Sequence, residues 1–153
     1  MFLGTYHHSL DTKGRVSIPA RYRELLTAEP EPGLILTISY GNAEQCVAVY
    51  PRAPFHRLAR KLIADGPMDA QLERYARAIL PSSSEVTHDR QGRILIPGFL
   101  RELVGIERDV TWVGMFNRME IWDRAKWETA HQKDLAEVGN LNRLFTEIYN
   151  GNE

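Results

Sequence analysis

The sequence predicts an α+β fold made of two tandem copies of one small module, with a helical insert between them and helices at the C-terminal end. Three observations carry this. One segment recurs in register 78 residues downstream. In both copies short β-branched or apolar runs alternate with a brief helical one. Between and after the copies, apolar residues fall at helical spacing instead.

The repeat decides the architecture. Asp11-Thr-Lys-Gly-Arg-Val-Ser-Ile-Pro19 returns as Asp89-Arg-Gln-Gly-Arg-Ile-Leu-Ile-Pro97, and Arg23-Glu24-Leu25 then lines up with Arg101-Glu102-Leu103. Chance can supply one such motif but hardly two in register, so the chain contains a duplicated unit. Val47–Arg52 and Ile121–Arg124 occupy equivalent places once a short indel is allowed. The expected boundaries are 5–53 for the first module, 54–81 for the helical insert, 82–125 for the second module and 126–153 for a helical tail.

Within each copy the elements follow from local chemistry. Thr5–Leu10 and Glu85–His88 are expected as strands leading into a turn. Asp-x-x-Gly fits a hairpin loop in which Gly14 or Gly92 adopts the left-handed conformation that a side chain resists. Arg15–Ile18 and Arg93–Ile96 resume as strands. Pro19 and Pro97 suit the first turn of a helix, and brief helices follow over Ala20–Leu26 and Gly98–Val104, the second closed by Gly105. Leu34–Ile38 then pairs with Cys46–Tyr50, and Val110–Val113 with Glu120–Trp122.

In the insert, Phe55, Leu58, Leu62 and Ile63, then Leu72, Tyr75, Ile79 and Leu80, predict two helices broken at Asp65-Gly66-Pro67. Pro81-Ser-Ser-Ser84 reads as the linker. Asp123 is an expected N-cap for a helix through Glu137, and Leu141, Leu144, Phe145 and Ile148 predict a last helical segment. Neither copy is long enough to bury a sizeable core alone, so the copies must lean on each other, on the helices or on another subunit.

Composition narrows the function classes. The chain has 153 residues, 43% hydrophobic and 25% charged, which is ordinary for a soluble globular protein. No apolar run approaches the ~18 residues that span a bilayer, and the N-terminus lacks the pattern of a secretory signal. A lone cysteine, Cys46, makes no internal disulfide and is expected to be a buried apolar residue; the expected compartment is a reducing cytoplasm. The formal net charge of −1 does not advertise a nucleic-acid partner. Yet 15 of the 19 basic residues are arginine, and they are unevenly placed. Asp11–Glu24 carries two more basic than acidic residues, whereas Glu128–Glu153 carries three more acidic than basic ones. Steering of an anionic partner depends on that local field.

The duplicated Asp-x-x-x-Arg is the main candidate site. An aspartate capping the turn and an arginine paired across the hairpin would produce the same pattern for purely structural reasons. Duplication favours function, because many other sequences close a hairpin, and arginine combines phosphate pairing with bidentate contact to a guanine edge. Lys13 and Arg90, within the turns, suit phosphate contacts. Catalytic signatures are absent from the sequence: there is neither a Walker-type loop nor His-Glu-x-x-His. His7 and His8 point to opposite faces of a strand. Ser82–Ser84 lack a glycine elbow. Trp112, Trp122 and Trp127 are expected in packing rather than base stacking, and Arg23-Glu24 and Arg101-Glu102 on solvated faces or at interfaces.

Met1-Phe-Leu-Gly4 followed by Asp11–Arg23 closely resembles the MraZ family, bacterial transcriptional regulators associated with the cluster of division and cell-wall genes. Asp89–Pro97 and Val113–Trp122 are similar to that family's second half, and the resemblance spans nearly the whole chain, weakest over 55–78 and beyond Ala136. It implies two tandem AbrB-like (SpoVT-AbrB) looped-hinge modules in which swapped β-hairpins form a small barrel, and subunits assembled into a ring. The family's DNA-contacting arginines fall on Arg15 and Arg93; Asp11 and Asp89 are left to shape the turns, since a carboxylate repels phosphate, together with Gly14 and Gly92. The expected function is sequence-specific binding of double-stranded promoter DNA by a homo-oligomer, as a repressor of its own gene cluster acting at tandem direct repeats. Neither enzyme activity, cofactor, metal nor membrane partner is expected, and the protein would be cytoplasmic and nucleoid-associated. The alternative is a protein-interaction module of the antitoxin-like hairpin class.

Overall fold

A computed structural model describes residues 1–39, 45–63 and 69–151; the expected break at Asp65-Gly66-Pro67 lies outside the described residues. The first copy contributes β1 (Thr5–Ser9), β2 (Arg15–Ser17), α1 (Ala20–Thr27), β3 (Leu34–Ser39) and β4 (Cys46–Pro51). The insert forms α2 (Arg52–Ile63) and α3 (Ala70–Ile79). The second copy repeats the order as β5 (Ser84–Val86), β6 (Arg93–Leu95), α4 (Gly98–Val104), β7 (Asp109–Gly114) and β8 (Met119–Asp123), and α5 (Arg124–Asn150) completes the described chain. Among the described residues the fold is mixed α+β, with five helices and antiparallel sheet.

Six strands form one antiparallel sheet in the order β1-β7-β8-β4-β3-β5. Exchange the two copies and the order reads the same from the other edge. The first strand of each copy therefore lies against the other copy's third strand: Tyr6 is opposite Trp112, and Glu85 is opposite Ile35. Val47 meets Ile121 at the centre, where β4 pairs β8. The remaining strands, β2 and β6, pair only with each other.

This exchange explains how two short units make one core. Val16, Tyr22 and Leu36 from the first copy share a buried cluster with Ile94, Leu100 and Trp112 from the second. Removing each such side chain from water is worth about 1.5–3 kcal/mol, and neither copy could shelter its own set. Tyr22 also anchors the N-terminus. Its ring meets Phe2, Tyr6 and Trp112 edge-on, and its hydroxyl donates to the carbonyls of Leu3 and Gly4 at 3.2 and 2.9 Å.

Four details differ from the sequence expectation. β5 stops at Val86 rather than His88, because its partner strand begins at Leu34, opposite Val86. Pro19 and Pro97 stand one residue before their helices, with extended backbone (φ −52, ψ 137 and φ −53, ψ 140). Ser84 already belongs to β5, while the Ser82 and Ser83 hydroxyls donate to the last carbonyls of α3, at Ala78 and Ile79, both at 2.8 Å. The largest difference is α5. Asp123 caps it as expected, accepting from the Lys126 N–H at 3.2 Å, but the helix runs unbroken from Arg124 to Asn150. An interior glycine costs about 1 kcal/mol relative to alanine, so Gly139 is too weak to stop it. No helix among the described residues is long and apolar enough to cross a membrane.

Candidate nucleic-acid interface

The two Asp-x-x-x-Arg segments fold into nearly identical turns. Asp11 Oδ1 accepts from the backbone N–H groups of Lys13 and Arg15, both at 2.9 Å, and its Oδ2 accepts from Arg15 Nε at 2.7 Å. In the second copy Asp89 Oδ1 accepts from Gln91 and Arg93 N–H at 2.9 and 3.0 Å, and Oδ2 from Arg93 Nε at 3.0 Å. Each carboxylate thus does two things at once: it closes the turn and fixes the adjacent guanidinium. The Arg15 N–H, more than any other contact, holds the Asp11 carboxyl down to about 2; the Arg93 N–H lowers Asp89 in the same way. Both aspartates are therefore charged at neutral pH.

Gly14 and Gly92 are in the left-handed region, φ +83 and +74, as the turn requires. They are also roofed. A Cβ on Gly14 would lie 2.7 Å from Arg101 Cζ, and one on Gly92 would meet the Arg23 guanidinium. Each copy's helix thereby sends an arginine over the other copy's turn. Arg23 and Arg101 are half-buried rather than solvated: Arg101 Nε donates to the Ile96 carbonyl at 3.0 Å, and Arg23 Nε is buried without a hydrogen-bond partner among the described residues. Burial, and secondarily the Arg23 charge, lowers the pKa of the neighbouring His8.

β2 and β6 bring the two turns together. Val16 lies directly opposite Ile94, and both are 1% exposed on the core side. Side chains alternate along a strand and share a face across it, so Arg15, Ser17, Arg93 and Leu95 all occupy the outer face of the ribbon. Backbone bonds from Ile18 to the Gly92 carbonyl (2.9 Å) and from Ile96 to the Gly14 carbonyl (3.0 Å) extend the pairing into both turns. Arg93 Nη1 comes within 3.8 Å of Asp11 Oδ2, so the two clusters touch. Each aspartate takes the Nε of its own arginine, and no hydrogen bond ties the terminal nitrogens of Arg15 to the described residues. Lys13 and Arg90 are exposed in the flanking turns. Four basic and two acidic side chains make this small surface cationic within a chain of net charge −1.

The other sequence candidates fall elsewhere. His7 is exposed and His8 half-buried on opposite sides of β1, with His7 Nδ1 2.9 Å from Thr111 Oγ1. Cys46 is buried, which pushes its thiol well up. Trp112 is fully buried, Trp122 is buried, and Trp127 lies 5.5 Å from Trp122 and stacks on His131 at 4.6 Å; none is on the arginine ribbon. Among the described residues no group of three His, Cys, Asp or Glu side chains is placed to hold a metal ion. Sequence reasoning missed Arg23 and Arg101 as roofs over the turns, although their equivalent places in the repeat were the available signal. It also missed Leu95, which is half exposed beside the arginines.

Residues 1–78 and 79–145 each match the family model described as "MraZ protein, putative antitoxin-like". Curated relatives from several bacteria bear the name "Transcriptional regulator MraZ". The one from Anaeromyxobacter sp. (strain Fw109-5) is 38% identical over 129 residues, 84% of this chain and 88% of its own. Those from Saccharopolyspora erythraea and Moorella thermoacetica are 38% identical over 142 residues (90% and 94%) and 40% identical over 128 residues (84% and 85%). The solution structure of PHS018 from Pyrococcus horikoshii covers 79% of this chain and 88% of its own at 17% identity, with a TM-score of 0.36, too low to argue a shared fold.

Proposed function

The chain belongs to the MraZ family, and from that premise we propose that it is a sequence-specific DNA-binding transcriptional regulator whose reading surface is the β2–β6 ribbon. The observation that carries this is the pairing of two turns from separate copies, which sets Arg15 and Arg93 on one outer face, each partly exposed with its Nε held by its own aspartate. A planar guanidinium fixed by its own aspartate is pre-organised for bidentate contact to a guanine edge. Lys13 and Arg90 flank the ribbon as phosphate contacts. Asp11, Gly14, Asp89 and Gly92 hold the turns.

In this reading the modules at 5–53 and 82–125 are AbrB-like units whose hairpins are swapped within one chain into a small barrel, carrying an insert (54–81) and a tail (126–153). The palindromic strand order supports it. The protein acts as a repressor of its own division and cell-wall gene cluster, as a ring of subunits engaging tandem direct repeats upstream of its gene, in a cytoplasmic and nucleoid-associated setting. Many ribbons binding adjacent boxes share an effective concentration, which suits repeats better than a single palindrome. The function requires no enzyme chemistry, cofactor or metal.

Electrophoretic mobility shift with the DNA immediately upstream of the encoding gene tests this. Retention that survives excess competitor DNA is expected. Absence of any specific complex, together with a stable protein partner recovered by pull-down, would overturn it in favour of an interaction module.

A further inference from the structure

α5 carries an apolar stripe, interrupted at His131 and Asp134, of which only the beginning is covered. Trp127 and Ala130 pack into a small cluster with Cys46, Val113 and Trp122. Past Ala130 the same face continues, exposed and with no other element among the described residues packed beneath it. Trp127, His131, Asp134, Val138, Leu141 and Phe145 follow one another at alternating spacings of four and three, the seam of helices that pair side by side. Leu135, Leu144 and Tyr149 flank that seam and widen it. Exposure runs from 46% at Leu141 to 66% at Phe145 and 71% at Tyr149. The opposite side of the helix is polar, including the Arg143–Glu147 pair at 3.5 Å.

Size argues for an occupant, and self-complementarity says which. Leu135, Val138, Leu141, Leu144, Phe145 and Tyr149 expose on the order of 100 Å² each, together about 600 Å², approaching the ~800 Å² per partner of a stable interface. Such an area on one helix is at the upper end of the roughly 300–600 Å² that the largest apolar patch of a monomer reaches, a size that often marks an interaction site. The seam between Val138 and Phe145 contains no charge, so an identical helix meets it without burying one.

We propose that this stripe docks against α5 of a second copy of this chain, with the two helices antiparallel. A parallel pair would set Asp134 against its own counterpart inside the seam, a like-charge contact. The antiparallel pair moves Asp134 to the end. It seats Leu141 against the partner's Phe145, Leu144 against its own counterpart, and Leu135 against the partner's Tyr149. The surface is on a different element from the arginine ribbon, so the proposal does not rest on the DNA-binding function. A two-fold contact of this kind joins copies in pairs and does not itself close a ring.

Light scattering or sedimentation of the full chain at micromolar concentration tests it. Val138→Glu combined with Phe145→Glu should lower the weight-average mass twofold, with far-UV circular dichroism and the thermal transition of the folded body retained. Asn142→Cys should give a disulfide-linked dimer on oxidation, because position 142 meets position 142 in the antiparallel register and the native Cys46 is buried. Asp134→Cys should not. A monomeric wild-type chain, or an unchanged mass in the folded double variant, overturns the proposal. Should the double variant lose its fold, absence of the Asn142→Cys cross-link overturns it. Cross-linking through Asp134→Cys instead of Asn142→Cys overturns the antiparallel arrangement.

Discussion

Arg93 reaches from the second copy to Asp11 of the first, with Nη1 3.8 Å from Oδ2, while its own Asp89 holds Nε at 3.0 Å. The two turns thus form one electrostatic unit rather than two independent sites, and a change in either copy is felt by both.

Arg15→Ala and Arg93→Ala should each weaken specific DNA binding by about 1–3 kcal/mol per ribbon, multiplied where several ribbons bind together. Both arginines are roughly one-third exposed, and exposed ion pairs contribute about 0–1 kcal/mol to stability, so melting temperatures should barely move. Arg→Lys should fail nearly as badly at a base-reading position and only mildly at a phosphate contact. Binding isotherms alongside thermal melts check this; alanine variants that unfold would make the arginines hairpin struts.

Acid should loosen the turns in a defined window. The Asp11 carboxyl titrates at about 2 in the folded protein, below the roughly 3.9 of an unfolded aspartate. Its stabilising contribution is therefore present above pH ~4 and is lost as pH falls towards 2. Asp89 is shifted the same way. Urea melts between pH 5 and 2 should show a loss of stability that Asp11→Asn makes shallower.

Salt should act steeply on DNA affinity. Each phosphate neutralised by a basic side chain adds about 0.9 to the slope of log affinity against log salt. Removing the Lys13 or Arg90 charge should reduce that slope by about one per contact while leaving sequence preference intact. A flat plot for the parent chain would contradict phosphate neutralisation by the ribbon.

Leu95 and Ser17 hold equivalent places in the two copies, yet one is an apolar side chain and the other a hydroxyl. In a major groove, apolar side chains meet the thymine methyl. Replacing thymine by deoxyuridine, position by position, should weaken binding several-fold at one place per box. Leu95→Ala should lose that sensitivity. Equal response of both proteins at every position would remove Leu95 from the contact.

Much of this was legible from residues alone. Asp-x-x-Gly followed by a β-branched run specifies a turn and strand locally, and the apolar runs at Leu34–Ser39 and Cys46–Pro51 pair as neighbours in sequence do. The partner of β1 was not legible. His7 and Thr111 are 104 residues apart, and only the shared core selects that pairing over one within the first copy. The same holds for Arg23 over Gly92, a contact that exists only once the copies interlock. α5 differs for another reason: a helix through Glu137 and a last segment from Leu141 are expected, but one interior glycine, Gly139, is too weak to separate them and the helix runs through.

The palindromic strand order has a consequence for how this surface can change. In a dimer of identical modules every substitution appears twice, on both sides of the axis. Here the axis runs through a single chain, so Tyr22 can serve one side while Leu100 serves the other, and Ser17 need not follow Leu95. Each half accepts its own mutations while the shared core keeps the two in register. A ligand without two-fold symmetry can then be matched by altering one half alone.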